Sequence, residues 1–112
     1  MKSRSAKAKG RRAVAELRDI LLEAAPELEA GDLVVNPTSL PGEDLYLSPR
    51  ARSRFPWAIE VKNVERLNVW DALSQAENHG EKSGGTPALF FKRNRSDFYV
   101  ALKLRDFLRL VR

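Results

Sequence analysis

The sequence predicts an α/β domain in the element order αβββαββα. Three observations carry this: apolar residues recur every three and four positions near the start, middle and end of the chain; short apolar runs lie between them; and Pro, Gly, Asn and Ser gather at the joints. At 112 residues the chain fits one domain around a single modest core, with no internal repeat.

The elements follow in order. Residues 9–25 read as a helix with Ala13, Val14, Leu17, Ile20, Leu21 and Ala24 on one stripe, closed by Pro26. A strand at 32–35 stops at Asn36-Pro37, and the turn chemistry of 38–42 delivers the chain into a second strand at 44–48. A basic connection over 49–54 leads to a third strand at 57–62. Val69, Trp70, Leu73 and Ala76 mark a second helix that stops at His79-Gly80, before an exposed loop at 82–85. Trp70 is expected in the core, Trp57 against one sheet face, and His79 at the helix end, where a cation suits the dipole. Strands at 88–92 and 98–102 flank a polar turn. The chain closes with Leu104, Phe107, Leu108 and Val111 at helical spacing, a face that either covers the sheet of its own chain or meets a second copy.

Charge is unevenly placed. Lys and Arg number 20 against 15 Asp and Glu, and six of the basic residues (Lys2, Arg4, Lys7, Lys9, Arg11, Arg12) fall in the first twelve positions with no acid among them. Residues 1–8 are therefore expected as a flexible basic arm for a polyanion, ahead of a single domain at 9–112; a solvated tail is the plainer alternative. The absence of cysteine excludes disulfides and thiolate metal sites and suits a reducing, cytoplasmic setting. No apolar run is long enough to span a bilayer and no secretory signal is visible, so no membrane partner is expected.

The chemistry concentrates in Trp57-Ala58-Ile59-Glu60-Val61-Lys62-Asn63, read with Gly42-Glu43-Asp44-Leu45-Tyr46-Leu47. Strand alternation puts Trp57, Ile59 and Val61 on one side and Glu60 and Lys62 on the other. Asp44, heading the neighbouring strand, completes a cluster of two carboxylates beside an ammonium. Such an oxygen-rich group suits a hard divalent cation and points to phosphodiester hydrolysis. A solvent-facing Glu60–Lys62 ion pair, of little energetic worth, is the rival reading.

With Glu16 in the first helix, Ser39 and Gly42 before Asp44, the Glu60-Val61-Lys62 triplet and Gln75 in the later helix, the chain resembles the PD-(D/E)xK nuclease superfamily, and within it the archaeal and phage Holliday junction resolvases. The resemblance covers roughly residues 9–102 and departs at Glu43-Asp44, where many members have Pro-Asp. It implies a restriction-endonuclease-like fold, a central mixed β-sheet flanked by helices. It implies Mg²⁺, with Mn²⁺ able to substitute, held by Asp44, Glu60 and the Val61 carbonyl, with Glu16 approaching it. Lys62 would orient the attacking water and offset developing charge. Gln75 would reach toward Lys62 and a water, and Ser39 would contact the DNA backbone. Glu16 belongs otherwise to a solvated stripe with Arg12, Asp19 and Glu23, Gln75 to a solvated helix flank, and Ser39 to a turn.

Binding would be shared by Lys7, Lys9, Arg11 and Arg12, by Arg50, Arg52 and Arg54, and by Lys92, Arg93 and Arg95, all suited to phosphates rather than base edges. No helix-turn-helix, zinc-finger or RNA-recognition signature competes. The expectation is a Mg²⁺-dependent, structure-selective endonuclease that cuts four-way DNA junctions as a homodimer and leaves a 5′-phosphate, in a prokaryotic or phage-infected cell. A repair or restriction-type nuclease of the same superfamily shares every residue named, and a non-catalytic DNA-binding protein on the same scaffold is the alternative of another class.

Overall fold

A computed structural model of the chain describes residues 4–37 and 42–111. The elements are α1 (Arg4–Ala24), a 3-10 turn (Ala30–Asp32), β1 (Leu33–Val35), β2 (Leu45–Leu47), α2 (Pro49–Arg54), β3 (Trp57–Asn63), α3 (Val69–Ser83), β4 (Thr86–Lys92), β5 (Tyr99–Ala101) and α4 (Leu104–Leu110). The strands form one open sheet in the order β1-β2-β3-β4-β5. β3 and β4 are parallel and every other neighbouring pair is antiparallel, so the fold is α/β with a mixed sheet flanked by helices. The expected element order holds, with α2 added between the second and third strands.

The first helix packs on β3 and β1 through Ala13, Val14, Leu17 and Leu21, all buried. Its stripe joins Leu33, Leu45, Ile59 and Val61 in the main core. Ile20 is 46% exposed and lies off this stripe. The helix starts at Arg4, not Lys9, so the described part of the expected flexible arm is helical. An apolar stripe marks where a helix is packed, whereas Ala and Lys propagate it beyond that point without a core.

The expected basic connection at 49–54 is helix α2. Ser48 occupies its N-cap, where Oγ accepts from the Ala51 N–H at 3.0 Å, and Pro49 takes the first helical position. Both choices preset a helix start. The Ser48 hydroxyl also donates to Asp32 Oδ1 at 2.7 Å, tying α2 to the turn before β1.

The third strand is covered on both sides, with Ala58, Ile59, Glu60 and Val61 all buried. Ile59 and Val61 face α1, whereas the opposite face lies under α3, which packs on β3 and β4. Parallel strands require this double cover. Ala72, Ala76 and Gly80 form the contact stripe of α3. Trp70 is 80% exposed rather than in the core, because two residues before Ala72 on a helix is about 200° around it. The helix also runs past Gly80 to Ser83 and ends at Gly84, whose φ of 79° provides the left-handed cap. Gly80 is a packing glycine: a Cβ there would lie 2.6 Å from Pro87 Cγ. Trp57 stacks on Phe55 at 5.7 Å and meets the edge of Phe90 at 5.4 Å, as expected of a residue packed on the sheet.

The terminal helix does not cover its own sheet. Leu104, Phe107, Leu108 and Val111 are 47 to 70% exposed.

Two glycines separate packing from propensity. Gly80→Ala should destabilise the fold by about 1–3 kcal/mol through overpacking against Pro87. Gly10→Ala, at a helical position with nothing within 4 Å of the new methyl, should stabilise it by about 0.5–1 kcal/mol. Urea midpoints at unchanged m-value report both.

Candidate functional site

The register that sets Leu45 opposite Ile59 brings Asp44 beside Glu60, one residue before β2 and in the middle of β3. Asp44 is fixed on three sides. Its N–H donates to the Ile59 carbonyl at 3.1 Å, its carbonyl accepts from the Asn36 N–H at 3.0 Å, and Oδ2 accepts from the Val61 N–H at 2.7 Å. Glu43, immediately before, is buried and receives Arg52 Nη2 at 3.1 and 3.3 Å on its two oxygens. Its carbonyl accepts from Asn36 Nδ2 at 2.7 Å. The backbone that presents Asp44 is thus held by a charged clamp beneath it.

Glu60 is 5% exposed and touches His79 of α3, Oε2 lying 2.6 Å from Nδ1. Burial first, and the negative charge of Asp44 second, push its pKa from 4.5 up to about 7. The His79 hydrogen bond and charge and the Lys62 ammonium pull the other way without prevailing. Two carboxylates therefore face one another in a partly dry setting and repel. Among the described residues no group of three or more His, Cys, Asp or Glu side chains gathers for a metal ion. A pair of carboxylates with backbone oxygens and water still matches the donor set that Mg²⁺ accepts, and a divalent cation would relieve their repulsion.

A cleft of about 620 Å³ reaches the Asp44 side of this group, and Glu60 lies beneath the surface and does not line it. Asp44 and Lys62 line it from the sheet, and Lys7, Lys9 and Arg11 line it from the first turns of α1. Arg12 is exposed on the same helix. The basic N-terminal segment thus shares a cleft with Asp44 and Lys62.

The other expected site residues are dispersed. Glu16, half exposed, pairs with Lys92 Nζ at 3.2 Å on the end of β4, and does not line the cleft. Gln75 is exposed on α3. Ser39 lies outside the described residues. The three arginines of α2 work inside the protein: Arg50 donates to the Glu27 carbonyl, Arg52 holds Glu43, and Arg54 reaches Glu27 Oε2 and the Ala24 carbonyl, each at 3.2 Å. Lys92 is bound to Glu16 and lies 5.4 Å from the Phe98 ring centroid. Arg93 and Arg95 are exposed in the β4–β5 turn.

Sequence reasoning placed His79 at a helix cap, whereas it is the partner of Glu60. The signal was available in the spacing, since position 79 falls three residues after Ala76 and seven after Ala72, on the buried stripe. The role of Glu43 had no local signal, because its partner is nine residues away.

A raised carboxylate pKa carries a sign. Between pH 4.5 and about 7 the folded chain keeps a proton on Glu60 that the unfolded chain has lost, so stability falls as pH rises through that window. In EDTA, Glu60→Gln should match the parent below pH 4.5 and exceed it above pH 7 by on the order of 1–3 kcal/mol, read from melting curves across that range. No family model, no curated protein and no solved structure matches the chain.

Proposed function

We propose that the chain is a metal-dependent DNA endonuclease of the PD-(D/E)xK kind, acting on four-way junctions as a homodimer. The observation that carries the nuclease reading is the Asp44–Glu60 pair with Lys62 beside it, of which Asp44 and Lys62 line a cleft edged by Lys7, Lys9 and Arg11. Asp44 and Glu60 would hold Mg²⁺ or Mn²⁺, with the Val61 carbonyl as a further oxygen. Bound there, the cation supplies charge neutralisation and a water of lowered pKa.

The rest is the work of the chain. Lys7, Lys9 and Arg11 draw the phosphate backbone along the cleft through charge. Lys62 orients the attacking water and offsets the charge that grows on the phosphate oxygens. His79 positions Glu60 by holding its Oε2. Glu16 and Gln75 are left out of the site, and so are Arg50, Arg52 and Arg54, whose forks are already engaged.

Labelled four-way junction, linear duplex and single strand, each offered with Mg²⁺ and with EDTA, test chemistry and substrate together. Cleavage of the junction only with Mg²⁺ is expected. Asp44→Asn and Glu60→Gln should each abolish it while junction binding persists or tightens, since removing a negative charge beside DNA reduces repulsion. Near-parental cleavage by either variant removes these residues from the site.

The junction reading requires two active sites, and the exposed apolar face of α4 supports a two-fold contact. Sedimentation should report twice the 12.7 kDa chain mass. Leu104→Asp with Leu108→Asp should return the monomer and leave junctions nicked on one strand. A parental protein that is monomeric and still makes paired cuts defeats the dimer.

A further inference from the structure

A second cleft, of about 430 Å³, lies beyond the carboxyl ends of β3 and β4. Phe91, Tyr99, Leu67 and Val69 give it apolar and aromatic walls, while Lys92 and Arg93 give it positive charge. Phe91 and Tyr99 pack ring to ring at 6.0 Å, and Tyr99 keeps 58% of its surface exposed. Trp70, the residue after Val69, is 80% exposed. Local bonds hold the walls: Glu65 Oε2 accepts from the Asn94 N–H at 2.8 Å, and Ser96 Oγ accepts from the Arg93 N–H at 3.0 Å. Glu65 is the acid of this cleft, and its carboxylate is engaged by that turn.

Position decides what the cleft suits. It shares Val64 and Glu65 with the cleft that Asp44 and Lys62 line, so the two follow one another along one surface. Both sit at the carboxyl ends of a parallel pair, where open α/β sheets receive their ligands. An exposed aromatic face beside a guanidinium binds a base by stacking and its phosphate by charge. A paired duplex offers no free base face. An apolar protein surface has no use for the charge of Arg93, which makes no ion pair with any described residue.

We infer that this aromatic and basic cleft binds an unstacked nucleotide of the DNA strand that runs through the neighbouring cleft, with Tyr99 as the stacking face and Arg93 on the phosphate. The inference rests on the nuclease reading and adds to it a preference for DNA that has an unstacked base near the cut, as the branch point of an opened junction or a strand end does.

The test uses the full chain in EDTA with fluorescent oligothymidylate and with blunt duplex, and cleavage of a junction with Mg²⁺ in parallel. Tyr99→Ala should weaken oligothymidylate binding about 5- to 100-fold, as loss of one stacking contact does, with Tyr99→Phe near parental and duplex affinity unchanged. A 2-aminopurine at the branch point should be quenched by the parental chain and not by Tyr99→Ala. Equal loss on duplex and single strand, or no loss by Tyr99→Ala, overturns the site. Junction cleavage with Tyr99-independent binding removes the site and keeps the nuclease; Tyr99-dependent binding with no cleavage of any DNA does the reverse.

Discussion

The parallel pairing of β3 with β4 is the constraint on which the rest depends. Seven residues of each strand stand in register, from Trp57 opposite Thr86 to Asn63 opposite Lys92. Two parallel neighbours cannot be joined by a tight turn, so the chain must cross over the sheet, and α3 is that crossing. With α1 on the other face, β3 has no side open to water along its middle. Glu60 is therefore enclosed by topology. A carboxylate in such a place costs stability unless it is neutral or paired, and His79 on the crossing helix is the partner it has.

Around this strand, charged groups divide into those that hold the structure and those that face outward. Arg52 ties α2 to Glu43 and so to the backbone of Asp44, while Arg50 and Arg54 bind the segment that follows α1. The inserted helix is thus a brace for one carboxylate, as the crossing helix is a lid on the other. Outward cations gather in the first turns of α1 and in the β4–β5 turn. They lie at the two clefts that meet at Val64 and Glu65.

Much of this was legible in the sequence. Period-two alternation over 57–62 encodes strand faces directly, and Ile59 and Val61 do enter the core while Glu60 stands opposite. Whether that opposite face is wet or covered is not a local property; α3 decides it. Helix stripes were readable and helix ends were not: Lys7 and Ala8 carry no stripe, and Gly80 reads as a cap when it is a contact. Ser48-Pro49 did hold a helix signature, hidden among three arginines whose composition suggested a loop. Those arginines invited a phosphate reading because their partners Glu27 and Glu43 are distant in sequence. Trp70 misled through hydrophobicity, where its spacing from Ala72 already placed it outside.

The chain contains one histidine, and that histidine is the neighbour of Glu60. Its imidazole C–H resonances in a proton NMR spectrum are consequently assigned without mutagenesis or labelling. They belong to a ring whose Nδ1 rests on the enclosed carboxylate, so a proton, a cation or a phosphate that arrives at that oxygen pair alters the ring's electron density. The fold has thereby placed a single built-in spectroscopic probe on its enclosed carboxylate.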